Sequence, residues 1–143
     1  MEHIQFLGHT KKTIFLAEDD LDDQEMLEYA VREVDPYVDI VSITNGRKFI
    51  AHLESVSDQE LPVLIVLDYN LPELSGVEIV KLLNQERRYQ AIPKVMWSTS
   101  SSPVHKSISI ELGILDYIIK PSDMASFISI AKHMLSFIKE PLA

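Results

Sequence analysis

Five consecutive apolar residues, Val63-Leu64-Ile65-Val66-Leu67, run directly into Asp68, and no other stretch constrains the fold of this chain as much. A strand with one wet face alternates apolar and polar side chains. A strand that does not alternate needs cover on both faces, as at the centre of a parallel sheet flanked by helices. Shorter runs of the same kind occur at Ile14-Phe15-Leu16-Ala17, Val95-Met96-Trp97 and Leu115 to Ile119, and Val38 to Ile43 alternates as a more exposed strand would.

Helical patterns lie between these runs. Met26, Leu27, Ala30, Val31 and Val34 fall at three- and four-residue spacings after a cap at Asp20, and Asp35-Pro36 ends that stripe. Asn45-Gly46 opens a second helix carrying Phe49, Ile50 and Leu53, and Ser55 to Glu60 reads as a polar loop. Ser75-Gly76-Val77-Glu78 has capping-box spacing. Ser102-Pro103 starts a fourth helix that Gly113 closes, and Ser122 can cap a fifth with Phe127, Ile128, Ala131, Met134, Leu135 and Ile138 on its apolar stripe. Five strands alternating with five helices imply right-handed crossovers and an α/β, three-layer, doubly wound sheet. The first 12 residues show no clear periodicity and read as an extension, leaving one domain over residues 13–140.

Composition excludes several classes of function. The 143 residues suffice for one core. With 13 basic against 22 acidic residues and a net charge of −9, neither nucleic acid nor an anionic membrane is an expected partner. No apolar run approaches the length of a membrane span, the N-terminus lacks a signal-peptide pattern, and the absence of cysteine removes disulfides and thiolate chemistry. The expectation is a cytoplasmic domain.

Chemistry in an open α/β sheet gathers beyond the carboxyl ends of its strands. Glu18 and Asp19 follow the first strand, Asp68 the third, Ser98 the fourth and Lys120 the fifth. Three carboxylates in one place resist ionisation unless positive charge joins them. A hard divalent ion such as Mg²⁺ meets that need with a few carboxylate oxygens and several waters. An aspartate beside such an ion and a lysine can accept a phosphoryl group, since positioning and charge neutralisation supply most of the catalysis for that transfer. Any one Asp after a strand is ordinarily a turn or cap residue, and Asp20, Asp22 and Asp23 are read as first-turn helix acids. The joint occurrence of acids, hydroxyl and amine at four strand ends favours a site.

The segments Phe15-Leu16-Ala17-Glu18-Asp19-Asp20, Val66-Leu67-Asp68-Tyr69-Asn70-Leu71-Pro72 with Gly76, Met96-Trp97-Ser98-Thr99 and Asp116-Tyr117-Ile118-Ile119-Lys120-Pro121 resemble the receiver domain of two-component response regulators. The resemblance runs from about Thr13 to about Lys139. It implies a flavodoxin-like (βα)5 sheet with strand order 2-1-3-4-5. Asp68 matches the phosphoacceptor, Asp19 the direct Mg²⁺ or Mn²⁺ ligand, and Glu18 its acidic neighbour, which often acts through a metal-bound water. Asn70 stands where a backbone carbonyl completes the metal site. Ser98 matches the hydroxyl that turns inward to the phosphoryl group, Lys120 the lysine that pairs with it, and Tyr117 the aromatic switch. Pro121 follows the lysine, in the family often through a cis bond. Glu18 and Ser98 replace the more frequent Asp and Thr, Thr99 sits where alanine or glycine is common, and Asn70 and Ser100 occupy positions that in the family influence phosphoryl lifetime.

The resemblance further implies a single-domain switch without an output domain, and not a turnover enzyme. A sensor histidine kinase or histidine phosphotransfer protein would supply the phosphoryl group. A downstream protein or a second copy would read it through the fourth helix, fifth strand and fifth helix, roughly Pro103 to Lys139, with His105, Lys106, Ser107 and Glu111 on its exposed part. Two alternatives share part of the pattern. An aspartyl-nucleophile phosphatase usually carries a second Asp where Asn70 stands, and a receiver-fold binding module that is not phosphorylated would have no use for the complete acid, hydroxyl and lysine set.

Overall fold

The structure is a computed structural model that describes residues 12–139. The expected extension therefore lies outside the described residues except at Lys12, which is already the first residue of a strand. The strands are β1 (Lys12–Ala17), β2 (Val38–Ile43), β3 (Leu64–Asp68), β4 (Lys94–Ser98) and β5 (Tyr117–Ile119). The helices are α1 (Leu21–Val34), α2 (Gly46–Ser55), α3 (Gly76–Leu83), α4 (Pro103–Glu111) and α5 (Met124–Leu135). All strand pairings are parallel, in the order β2-β1-β3-β4-β5, as expected of a flavodoxin-like sheet.

Every residue of β3 is buried, and successive side chains feed two separate cores. Leu64 and Val66 join Ile14, Leu16, Val95, Trp97 and Ile118 beneath α1 and α5. Ile65 and Leu67 join Phe15, Ala17, Met96 and Tyr117 on the opposite face, where α2 and α3 supply Phe49, Leu53, Ile79 and Val80. The period-two alternation of Cβ directions thus divides a run that looks uniform in sequence into two cores.

Four of the caps are those the sequence indicates. Asp20, Asn45, Ser75 and Ser102 accept from the backbone N–H of Asp23, Lys48, Glu78 and His105. Three details differ. The cap of α5 is Asp123 and not Ser122: Asp123 is extended and its carboxylate accepts from Ser126 N, so the helix begins one residue later. The segment Ser55 to Glu60 is not wholly loop, because Glu60 N donates to Ser57 O at 2.9 Å and closes a 3₁₀ turn over Asp58–Glu60. Regular β5 starts at Tyr117; Leu115 N still bonds Lys94 O at 2.9 Å, but the Leu115 side chain faces solvent. No peptide bond among the described residues is cis, so Lys120–Pro121 is trans, unlike the form the family often shows.

One buried cation lies away from the strand ends that carry the acids. Lys94, at the start of β4, donates to the carbonyls of Tyr89 and Ile92 at 2.8 and 2.9 Å. Burial pushes its pKa below the ordinary lysine value.

The backbone of β3 is approached closely from one side. A Cβ added to Gly76 would run into the Asp68 carbonyl oxygen and lie 2.8 Å from Met96 Sδ. The start of α3 is therefore seated directly on the residue that ends β3. Gly76→Ala is expected to lower stability by about 1–3 kcal/mol, the usual cost of overpacking, read as a lower denaturant midpoint with an unchanged slope.

Candidate functional site

The parallel register brings the carboxyl ends of the strands level. Ala17 lies opposite Leu67, Asp68 opposite Trp97, and Ser98 opposite Ile119. Glu18, Asp19, Asp68, Ser98 and Lys120 consequently meet at one edge of the sheet.

Asp68 is 5% exposed, and both of its carboxylate oxygens are engaged. Oδ1 accepts from Asn70 N at 2.9 Å, and Oδ2 accepts from Lys120 Nζ at 2.9 Å. Lys120 Nζ also lies 2.8 Å from Glu18 Oε1 and 3.0 Å from Asp23 Oδ2. Lys120 N donates to Ser98 O at 2.8 Å, which fixes the base of this side chain against β4. Glu18 is fully buried: Oε2 accepts from Asp20 N, its carbonyl accepts from Gln24 Nε2 at 2.6 Å, and its N–H donates to Ile43 O. The contact of Glu18 Oε1 with the ammonium is close but poorly aligned, so among the described residues this oxygen has an ion-pair neighbour and no hydrogen bond.

Desolvation and ion pairing oppose each other here, and the winner differs between Glu18 and Lys120. Burial pushes the Glu18 carboxyl up to about 7, against the lowering pull of Lys120 and of the Asp20 N–H. For Lys120, burial lowers the pKa, but the contacts with Glu18, Asp68 and Asp23 outweigh it and hold the ammonium above its ordinary value. One ammonium thus serves more carboxylates than it can neutralise. Glu18, Asp19 and Asp68 each offer an oxygen, and these oxygens lie within 4.8 Å of one another. A hard, oxygen-seeking divalent cation fits this donor set, with the under-bonded Glu18 oxygen among the atoms it would satisfy.

Ser98 is fully buried, and its Oγ accepts from Ser100 N at 3.1 Å. Tyr117 points inward, 7% exposed, and its hydroxyl donates to Ser100 O at 2.8 Å. Ser100 Oγ is 3.1 Å from His105 Nδ1, and the His105 ring stacks on Tyr69 at 4.2 Å between centroids. Residues 98–100 therefore touch β5 through Tyr117 and α4 through His105. His105 is half-buried in this stack and not part of the exposed face, whereas Lys106, Ser107 and Glu111 are exposed as expected.

The largest departure from the sequence-based expectation is Asp23. Its position suggests a first-turn helix acid, yet it is the third carboxylate on Lys120. Asp22 and Asp23 are adjacent in the first turn, and spacing alone does not tell which of them faces the strand ends. Gln24, which bonds the Glu18 carbonyl, and Trp97, whose ring centroid is 5.2 Å from Lys120 Nζ, are likewise hidden among core positions.

The response regulator receiver domain family matches residues 14–132, and the chain belongs to that family. Receiver domains are the phosphoacceptor switches of two-component systems. Among characterised relatives, the chain is 26% identical to Chemotaxis protein CheY1 of Helicobacter pylori over 85 residues, covering 59% of this chain and 66% of that protein. It is 32% identical to the alkaline phosphatase synthesis transcriptional regulatory protein PhoP of Bacillus subtilis over 110 residues, covering 77% and 42%. In both, the matched part spans less than two thirds of the relative. Similar solved structures include the phosphorylated cyanobacterial phytochrome response regulator RcpA, with 27% identity, TM-score 0.81 and coverage of 90% of this chain and 94% of that one. The Mn²⁺-bound form of response regulator Rcp1 has 25% identity, TM-score 0.78 and coverage of 92% and 99%.

Removing the shared cation leaves buried carboxylates uncompensated. Lys120→Met is expected to destabilise the metal-free protein by about 3–5 kcal/mol, the typical cost of breaking a buried pair from one side. Millimolar Mg²⁺ should restore part of the loss, and chelation should remove that gain, in thermal unfolding followed by circular dichroism.

Proposed function

We propose that this protein accepts a phosphoryl group on Asp68 and signals through the resulting change in protein–protein contacts. The single observation that carries this reading is the Asp68 carboxylate, buried at the end of β3 with one oxygen held by Asn70 N and the other by Lys120 Nζ. In the transfer, a carboxylate oxygen of Asp68 forms a bond to phosphorus while the bond from phosphorus to the donor breaks, and its electron pair leaves with the donor group. For a histidine donor that group is the imidazole nitrogen. Asn70 N fixes the rotation of the carboxylate, and Lys120 stands where negative charge gathers on the phosphoryl oxygens.

Glu18, Asp19 and Asp68, with the backbone carbonyl of Asn70, are the residues that would hold Mg²⁺ or Mn²⁺. That ion, when bound, supplies positive charge beside both anions. The Mn²⁺-bound Rcp1 structure and the phosphorylated RcpA structure support this reading by likeness.

Ser98 is the first element of the response. Turning its hydroxyl to a phosphoryl oxygen releases Ser100 N, and Ser100 carries both the Tyr117 hydroxyl and the His105 ring. A two-state shift of this loop transmits the event to α4 and β5. Val104 and Ile108 on α4 and Ile119 on β5 are exposed apolar residues, which supports this side as the one a downstream protein or a second copy reads. The donor is a sensor histidine kinase or a histidine phosphotransfer protein. Among the described residues no helix is long and apolar enough to cross a membrane, and the work of the domain is assigned to the cytoplasm.

With acetyl phosphate and Mg²⁺, the wild-type protein is expected to gain the mass of one phosphoryl group. Asp68→Asn should gain none, and chelation should prevent the gain in the wild type. Equal uptake by Asp68→Asn would sink the assignment.

A further inference from the structure

Two groups that hold Lys120 lie outside the acid, hydroxyl and lysine set of the proposed reaction. The first is Asp23, in the opening turn of α1, whose Oδ2 accepts from Lys120 Nζ at 3.0 Å. Its own backbone is pinned, because Asp23 N donates to the cap residue Asp20. The second is Trp97, fully buried on β4, whose ring face lies 5.2 Å from Lys120 Nζ. The indole is wedged edge-to-face against Phe127 of α5 at 6.2 Å, and its Nε1 has no hydrogen-bond partner among the described residues. This tryptophan is therefore held by packing, with its ring turned to the ammonium.

An ammonium has three N–H donors; Asp23 and Asp68 each accept one, and the Glu18 carboxylate crowds the remaining side as an ion-pair neighbour. A ring face attracts the charge without needing a fourth donor. The partners differ in what happens to them during transfer. Asp68 becomes part of the acyl phosphate, and Glu18 belongs to the carboxylate cluster that fits a cation. Asp23 is outside that cluster, and Trp97 offers the ammonium only its ring. Of these four partners, Asp23 and Trp97 alone are neither the acceptor of the proposed transfer nor members of the carboxylate cluster.

We propose that Asp23 and Trp97 are positioning residues that cradle the Lys120 ammonium and keep it at the Asp68 carboxylate throughout the reaction. This rests on Asp68 being the phosphoacceptor. Asp23 has a plainer role open to it as an acid favouring the helix N-terminus, and Asp22 shares that role without touching Lys120. Asp22→Asn is therefore the control.

Trp97 is the only tryptophan of the chain, so its emission reports the ammonium beside it. In metal-free buffer, Asp23→Asn is expected to change the intensity of that emission, and Asp22→Asn to leave it as in the wild type. With acetyl phosphate at saturating Mg²⁺, Asp23→Asn should be phosphorylated about 10- to 100-fold more slowly, up to the cost of a 1 Å misplacement of a catalytic group, with partial recovery in Asp23→Glu and no loss in Asp22→Asn. Trp97→Phe keeps a ring face and should retain more of the rate than Trp97→Leu, although both leave a cavity. The cradle is overturned if Asp23→Asn matches Asp22→Asn in emission and rate, or if the Trp97→Phe and Trp97→Leu rates fall alike. If the wild type itself takes up no phosphoryl group, the Asp68 reading fails and the cradle's role in transfer fails with it; the emission comparison would still show whether Asp23 holds Lys120.

Discussion

The ammonium of Lys120 is buried against carboxylates that three other segments deliver: Glu18 from the end of β1, Asp23 from α1 and Asp68 from the end of β3. Carboxylates brought this close in a low-dielectric setting repel one another, and the sheet edge is stable only because a cation is fixed among them. The register of β4 with β5 and the bond from Lys120 N to Ser98 O put it there. The arrangement is also unfinished, since Asp19 adds a further carboxylate and Glu18 Oε1 lacks a hydrogen bond. A site that is tolerably but incompletely neutralised has carboxylate oxygens to spare for a further cation.

The same edge ties Asp68 physically to α4 and β5. Ser98 Oγ is tied to Ser100 N, and Ser100 is tied to Tyr117 through its carbonyl and to His105 through its hydroxyl. His105 in turn stacks on Tyr69, the residue after Asp68. The loop after β4 thus belongs to a closed circuit running from Asp68 through α4 and back. Closed circuits of packed rings and hydrogen bonds have few alternative arrangements, which favours discrete states over gradual deformation.

Most of this organisation is legible in the amino-acid sequence. The uninterrupted β3 run implies a parallel sheet covered on both sides, and the acids, hydroxyl and amine at the strand ends imply one site. What the sequence hides depends on directions that spacing does not encode. Asp22 and Asp23 are equivalent in sequence, yet the turn of α1 aims one at solvent and the other at Lys120. Trp97 looks like any large core residue of β4, and only its packing against Phe127 turns its ring to the ammonium. The cap of α5 falls at Asp123 and not Ser122 because both residue types serve and the backbone is extended at the later one.

The pairing of β1 with β3, and of α1 with α5, also bears on how the site comes into being in time. β1 cannot complete its ladder until β3 has been made, roughly fifty residues later, and long separations of this kind slow folding. The core beneath α1 is closed by Phe127, Ala131 and Met134 of α5, immediately after Lys120 in the chain. During synthesis the carboxylates therefore emerge well ahead of their cation and of the helix that seals it in. The nascent chain carries its acids without this cation until the last strand and helix arrive, so the carboxylate cluster is assembled late.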